Sequence, residues 1–205
     1  PTGVSAIAAG MSHTVVLKTD GSVHTVGYNS CGQLGDGTND KKSTFVQVIP
    51  TGVSAIAAGH SHTVVLKTDG SVHTVGYNFY GQLGDGTYDN KSTFVQVIPT
   101  GVSAIAAGSF HTVVLKTDGS VHTVGYSFYG QLGDGTYDNK STFVQVIPTG
   151  VSAIAAGSFH TVVLKTDGSV HTVGDNSSGQ LGDGTNDKKS TFVQVIPTGV
   201  SAIAA

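Results

Sequence analysis

The sequence contains no arginine, no glutamate and no tryptophan, and it has a single cysteine. All ten cationic residues are therefore lysine, and all thirteen acidic residues are aspartate. Without arginine the chain lacks the planar donor that proteins use most often to recognise phosphates and base edges. The formal net charge is -3, and together these features predict that nucleic acid is not a partner. The lone Cys31 excludes a disulfide within this sequence.

Long apolar runs are also missing from the sequence. No stretch approaches the roughly 18 residues that a helical membrane span needs, and no charged segment followed by an apolar one marks a secretion signal. Hydrophobic residues nevertheless make up 38% of the 205 positions. This is enough apolar material to bury a core, so the composition predicts an ordinary folded polypeptide.

Repetition dominates what is present. The segment PTGVSAIAA recurs every 49 residues, beginning at Pro1, Pro50, Pro99, Pro148 and Pro197. The sequence thus divides into four whole repeats and the beginning of a fifth. The corresponding units are residues 1–49, 50–98, 99–147, 148–196 and 197–205. A period of this length is compatible with helical pairs or with four-stranded propeller blades.

The local pattern distinguishes these two architectures. In HTVVLKTDGSVHTVGY two runs rich in β-branched residues flank TDGS, whose Asp-Gly pair is a strong hairpin signal. Upstream lies the short apolar run VSAIAAG, and downstream TFVQVIP alternates before a proline ends it. Each repeat therefore predicts four short strands, A to D in chain order, and the fold class is all-β. The expected architecture is a β-propeller of four-stranded antiparallel blades, with four repeats and a partial fifth.

The segment AAGMSHTVVLKTDGSVHTVGYNSCGQLGDGT, which recurs with small changes from Ala57, Ala106 and Ala155, resembles the repeat of the regulator of chromosome condensation family. The resemblance covers essentially the whole sequence and implies propeller blades like those of the seven-bladed family members. Strand C departs from the family pattern because it lacks aromatic residues before its glycine. The absence of tryptophan excludes the ultraviolet sensing of some members, and no inserted loop resembles those of nucleotide-exchange members. No functional residue is carried over from the family.

The duplicated nonapeptide at the two ends predicts a window on a longer blade array. A closed four-bladed ring would leave the first and last copies competing for one strand position. A continuing array has no such conflict, because its next repeat uses residues 197–205 as strand A. Such an array is either a closed propeller with more blades or an open superhelical fibre, and the sequence favours neither.

Histidine and cysteine are the residues that could carry chemistry. Eight of the nine histidines form two columns that repeat once per blade, and the column containing His13 is expected to hydrogen-bond to neighbouring backbone as an architectural feature. His60 lies outside the columns and shares a strand face with His62, but two imidazoles alone make a weak metal site. Cys31 paired with His13 is a formal nucleophile and base. Other repeats have tyrosine or serine in place of Cys31, so we expect neither catalysis nor any cofactor or metal.

The differences between repeats fall only in the A to B and C to D connections. An antiparallel meander places these connections at one end of the blades, which predicts one diversified recognition face on a constant scaffold. Aromatic residues that replace small polar ones there are the candidate binding anchors: Phe79, Tyr80, Tyr88, Phe128, Tyr129 and Tyr137. Drift after recent duplication is an equally weighted explanation of the same pattern.

Three sequons for N-glycosylation, Asn90, Asn139 and Asn176, lie in the C to D connections. They matter only if the protein is secreted, and an extracellular or cell-surface location is the expectation that accompanies them. The sequence as a whole predicts a non-enzymatic structural or binding scaffold, such as a fibre component. It associates with protein or with itself through a blade face or the ends of the array. The alternative is a closed propeller domain that binds a protein partner.

Overall fold

Each repeat supplies four segments in which β-branched or alternating apolar residues favour extended backbone, and all of them form strands. The computed structural model describes residues 2–205 and contains four sheets, each a meander of four consecutive antiparallel strands. We call these sheets blades 1 to 4. The predicted propeller blades with strands A to D are confirmed.

The strands have the same lengths in every blade. Blade 1 contains β1 (Val4–Ala9), β2 (His13–Lys18), β3 (Val23–Gly27) and β4 (Lys42–Ile49). Blade 2 contains β5 (Val53–Ala58), β6 (His62–Lys67), β7 (Val72–Gly76) and β8 (Lys91–Ile98). Blade 3 contains β9 (Val102–Ala107), β10 (His111–Lys116), β11 (Val121–Gly125) and β12 (Lys140–Ile147). Blade 4 contains β13 (Val151–Ala156), β14 (His160–Lys165), β15 (Val170–Gly174) and β16 (Lys189–Ile196).

The hairpin between strands B and C forms at TDGS as predicted. In blade 1 the carboxylate of Asp20 accepts hydrogen bonds from the amide of Ser22 at 2.9 Å and from its hydroxyl at 2.6 Å. Gly21 has a φ of 77°, a left-handed conformation that glycine adopts without strain. The turn therefore depends on aspartate and glycine at adjacent positions, which explains why every repeat has them.

The hydrophobic core lies between blades. Residues of blade 1, among them Val15 and Leu17, pack against Val53 and Val65 of blade 2, and Phe94 covers the edge of the same cluster. The next two junctions repeat this cluster with equivalent residues. Because each blade completes the core of its predecessor, most of the hydrophobic stabilisation belongs to the junctions.

The four blades form an open arc. β5 packs on β1, β9 on β5 and β13 on β9, and within residues 2–205 no comparable packing joins β13 back to β1. The free side of β1 is consequently exposed: Ile7 is 75% accessible, whereas its equivalents in the other blades are partly buried. Within the same residues there is no helix that could span a membrane.

Residues 197–205 follow β16 and lie against blade 4 in the position that strand A of the next blade has at the other junctions. The amide of Val200 donates to the carbonyl of Gly168 at 3.1 Å, as the amide of Val53 does to Gly21 at 3.1 Å. Val200 and Ile203 also pack against the apolar cluster of blade 4. The segment therefore packs on blade 4, but residues 199–205 form no strand. That residues 197–205 are the first strand of a fifth repeat stays a prediction.

Candidate functional site

The connections between strands emerge at two opposite ends of the arc. At one end the B to C turns contact the start of the following blade, as between Gly21 and Val53. At the other end the A to B connections contact each other: the amide of Met11 donates to the carbonyl of His60 at 3.2 Å, and the next two junctions repeat this bond. Every position at which the repeats differ belongs to this second end. We call it the variable face.

In blades 1, 2 and 4 the C to D loop contains a hydrogen-bond network around a buried asparagine. In blade 1 the side-chain oxygen of Asn29 accepts the amide of Leu34 at 2.9 Å, and its nitrogen donates to Asp36 at 3.1 Å and to the carbonyl of Thr38 at 2.9 Å. The other carboxylate oxygen of Asp36 lies 3.3 Å from the ammonium of Lys42. Burial alone would raise the pKa of Asp36, but its hydrogen bonds and Lys42 outweigh burial and lower the pKa. This network holds the variable positions on a rigid loop.

The C to D loop also reaches across to the next blade. The amide of Gly37 donates to the carbonyl of Ser92 at 2.9 Å. Gly35 has a φ of 75°, and a β-carbon there would lie 2.4 Å from the ring of Phe94. The C to D loops of blades 1, 2 and 3 therefore clamp strand D of the following blade, and the glycines of GQLGDGT serve this close approach.

Four of the six predicted anchors are well exposed on the variable face. They are Phe79, Tyr88, Phe128 and Tyr137. Tyr80 and Tyr129 are half-buried instead, because each packs against an aromatic ring of the following blade. The ring centroid of Tyr80 lies 4.6 Å from that of Tyr126, and Tyr129 lies 5.2 Å from Phe159. The binding role of all six residues stays a prediction.

The sequence interpretation missed part of the aromatic surface. Rings from blades 2, 3 and 4 form a continuous series of contacts that we call the aromatic patch. Its members are Tyr77, Phe79, Tyr80, Phe110, Tyr126, Phe128, Tyr129 and Phe159. The signal for Phe110 and Phe159 was present, since they replace serine in the A to B connection. Tyr77 and Tyr126 gave no such signal because blade 1 has tyrosine at the same position.

A lysine of blade 4 extends over two aromatic rings of blade 3. The ammonium of Lys188 lies 4.6 Å from the ring centroid of Phe128 and 4.4 Å from that of Tyr137. It also donates to the backbone carbonyl of Phe128 at 2.9 Å. These distances are those of cation-π contacts.

The first histidine column has a different partner from the one expected. The ring nitrogen Nε2 of His13 lies 3.0 Å from the hydroxyl of Thr63 in blade 2, and that hydroxyl donates to the carbonyl of Gln33 at 2.7 Å. The hydroxyl therefore accepts a hydrogen bond from the N–H group at Nε2. The expectation of a backbone partner was wrong, because the ring bonds to a threonine hydroxyl on strand B of the next blade, and it is this hydroxyl that bonds to the backbone.

Burial keeps this histidine column neutral. It lowers the pKa of His13 to about 4 and the pKa of both His62 and His111 to about 3, with a smaller contribution from neighbouring histidines. Each ring also fills the space beside a glycine of the AAG segment, as His62 does at Gly59. His13, His62 and His111 therefore each connect their blade to the next one through a hydrogen bond to a threonine.

The remaining candidates for chemistry, His60 and Cys31, each contact a serine next to them in the sequence. The Nδ1 of His60 lies 2.9 Å from the hydroxyl of Ser61, and its ring stacks on Phe110 with centroids 5.0 Å apart. The thiol of Cys31 lies 3.7 Å from the hydroxyl of Ser30. Within residues 2–205 no three histidine, cysteine or aspartate side chains are grouped closely enough to hold a metal ion.

The three sequons differ in accessibility. Asn90 and Asn139 are exposed, whereas Asn176 is fully buried. The side-chain nitrogen of Asn176, the atom to which a glycan would attach, donates to Asp183 at 3.0 Å and to the carbonyl of Thr185 at 2.9 Å. A glycan at Asn176 is incompatible with this fold, so that prediction is corrected. Asn90 and Asn139 stay predicted.

Twisted four-stranded meanders packed around an axis define the β-propeller class. Within this class the chain belongs to the RCC1-like domain family, whose sequence profile matches residues 1–205. The resemblance seen in the repeat is thereby confirmed.

Solved structures show the same fold. Human WBSCR16 superimposes with a TM-score of 0.88 at 23% identity, covering 100% of this chain and 56% of that protein. Yeast RCC1 (Prp20), bound to Kap60, gives a TM-score of 0.83 at 22% identity and covers 95% of this chain and 49% of that one. The chain therefore spans about half the length of these two proteins. A search of curated proteins finds no match.

Proposed function

We propose that this chain is a non-enzymatic binding scaffold that engages a protein partner through its variable face. One observation carries the proposal: the strands are identical in all four blades, whereas the aromatic residues that differ between repeats converge on one surface. Binding proteins usually have this arrangement, in which variable loops are carried by a constant scaffold of strands.

The chemistry of the variable face supports protein binding. Phenylalanine and tyrosine provide large contact areas and lose little side-chain entropy when they are ordered. The exposed ring of Phe79 contacts the half-buried ring of Tyr80, and the exposed ring of Phe128 contacts that of Tyr129. Each exposed ring is therefore supported by a packed one. Such a cluster of supported aromatic residues resembles the centre of a protein interface.

The structural neighbours are consistent with this proposal. The yeast protein Prp20 was solved in complex with Kap60 and described with its binding properties to Gsp1p and histones. These proteins share only the fold with this chain, so their partners are not assigned here. They do make a protein the partner class to test first.

A longer blade array remains the second candidate, in which this chain is one segment of a larger propeller or a fibre. The packing of Val200 and Ile203 against blade 4 supports it, since this segment lies where a further blade would begin. The exposed Ile7 on the free side of β1 offers a matching apolar surface at the other end. An intact-mass measurement on native material tests it: a mass near seven repeats indicates one closed domain, and a far larger one indicates a fibre.

The binding face is tested by selecting peptides from an unbiased displayed library against the wild-type chain. The informative variant replaces Phe79 and Phe128 together by serine, the residue that blades 1 and 4 have at these positions. The control is Thr68→Lys on the opposite end, because Thr68 is exposed whereas the nearby Ser71 is buried.

We expect the aromatic variant to weaken most selected peptides about fivefold or more, which corresponds to about 1 kcal/mol. The control should bind them as the wild type does. The proposal would be contradicted if most peptides no longer bound the Thr68→Lys variant but still bound the aromatic variant. Peptides would then bind at the end opposite to the variable face.

A further inference from the structure

The contact between blades 3 and 4 shows how the variable face holds a cation. The ammonium of Lys188 lies within 4.6 Å of both the Phe128 and the Tyr137 ring centroids. The ammonium also donates a hydrogen bond to the carbonyl of Phe128, with a nitrogen to oxygen distance of 2.9 Å. Two rings and a carbonyl thus satisfy a single ammonium group.

Blade 2 has the same pair of rings without a lysine. Phe79 and Tyr88 occupy the positions of Phe128 and Tyr137, but blade 3 has Asn139 where blade 4 has Lys188. The side-chain oxygen of Asn139 accepts the amide of Ser127 within its own blade at 3.0 Å. Its short side chain is therefore engaged away from the rings of blade 2.

The exposure of the rings agrees with this difference. Phe79 is 66% and Tyr88 52% accessible, compared with 55% for Phe128 and 47% for Tyr137. The blade 2 rings are the more open pair, as expected where no lysine covers them. The carbonyl equivalent to that of Phe128 belongs to Phe79, so blade 2 repeats every group that binds the ammonium.

We propose that the Phe79 and Tyr88 pair is a binding site for a lysine-type ammonium group on a protein partner. The inference rests on the proposed function, since it assigns a ligand chemistry to the variable face. The cation is favoured over an apolar side chain because the identical pair in blade 3 binds one. The exposed Asp89 next to Tyr88 and the net charge of -3 add attraction for a positive group.

The test uses tetramethylammonium chloride as the probe and tert-butanol as its neutral counterpart of similar size. Tyrosine ring signals of the folded chain are followed by NMR during titration. Two variants change one site each. Phe79→Ser removes one ring of the blade 2 pair and introduces the residue that blade 1 has there. Lys188→Asn removes the lysine that covers the blade 3 pair and introduces the residue that blade 3 has at the equivalent position. Thermal unfolding confirms that both variants fold, which their exposed positions favour.

We expect tetramethylammonium to shift the Tyr88 signal saturably in the wild type, with at least a fivefold smaller response to tert-butanol. Phe79→Ser should abolish the Tyr88 shift, and Lys188→Asn should create a new saturable shift at Tyr137. Equal responses to the two probes, or no shift at Tyr88 in the folded wild type, would overturn the inference. That result would leave peptide binding through the aromatic patch untouched, so the two proposals fail separately.

Discussion

At the scale of single residues, the repeats act as controls for one another. The C to D loops of blades 2 and 3 have the same sequence from Tyr77 and Tyr126 onward except for one position, Asn78 against Ser127. In blade 2 the asparagine accepts the amide of Leu83 at 3.0 Å and donates to Asp85 at 3.0 Å. In blade 3 the buried hydroxyl of Ser127 has no hydrogen-bond partner among the described residues.

We therefore expect Ser127→Asn to stabilise the protein by about 1 to 2 kcal/mol, because it restores buried hydrogen bonds. Blade 2 shows that the larger side chain fits, since Asn78 and Asn90 coexist there, with the amide of Asn78 donating to Asn90 at 2.8 Å. Urea unfolding measures the change. The reverse substitution, Asn78→Ser, should destabilise by a similar amount, and equal stabilities for all three proteins would contradict the role given to this asparagine.

The buried histidines make a prediction about pH. Burial lowers the pKa of His62 and His111 to about 3, whereas in the unfolded chain a histidine has its ordinary pKa of about 6.5. Below that value the unfolded chain binds protons that the folded protein excludes. Stability is therefore full above about pH 6.5 and falls as the pH decreases, by up to about 1.4 kcal/mol per pH unit for each such histidine.

Urea unfolding between pH 7 and pH 4.5 measures this loss. The window avoids the aspartates with lowered pKa, such as Asp36 and Asp85, whose contribution is lost only below about pH 4. His62→Gln should be less stable than the wild type at pH 7 but should show a shallower pH dependence. An unchanged slope in this variant would mean that His62 is not the group responsible.

At the scale of structural elements, the sequence predicted the strands but not the contacts between loops. Strand positions follow from β-branched runs and from the Asp-Gly turn, which are local signals. Which rings of the variable face meet depends on neighbours about one repeat away: Tyr80 contacts Tyr126, and Tyr129 contacts Phe159. The same distance in sequence explains why the threonine partner of His13 was not foreseen.

The inter-blade clamp can be tested with two glycines of identical local sequence. Gly84 and Gly182 both have a left-handed φ, of 77° and 73°. A β-carbon at Gly84 would lie 2.4 Å from the ring of Phe143, whereas one at Gly182 would meet nothing within 4 Å. Both alanine variants carry the backbone strain, but only Gly84→Ala also forces two blades apart.

We expect Gly84→Ala to destabilise by about 1 to 3 kcal/mol more than Gly182→Ala, the usual cost of overpacking. Chemical denaturation of the two variants gives the difference. Equal losses would show that backbone conformation alone matters at these positions and that the loop does not clamp the next blade.

At the scale of the whole molecule, the strands of the four blades are identical in sequence but differ in their surroundings. Blades 2 and 3 have a complete neighbour on each side, whereas blade 1 has a free face at β1 and blade 4 is covered only by residues 200–203. The consequence is visible within strand B: Thr63 and Thr112 are fully buried, while Thr14 is partly accessible. In such an array the stability of a unit depends on its interfaces with its neighbours.

Rates of amide hydrogen exchange should therefore differ between equivalent strands, although these strands have the same sequence. We expect slower exchange in β6 and β10 than in the identical strands β2 and β14, because local opening of an end blade exposes only one interface. Replacing Val200 and Ile203 by serine should accelerate exchange in β14 selectively, since these side chains cover Val162 and Leu164, and should leave β6 unchanged. Because the strand sequences and the strand pairing are the same in all four blades, uniform exchange across these strands would mean that the array unfolds as a single unit and that stacking does not set local stability.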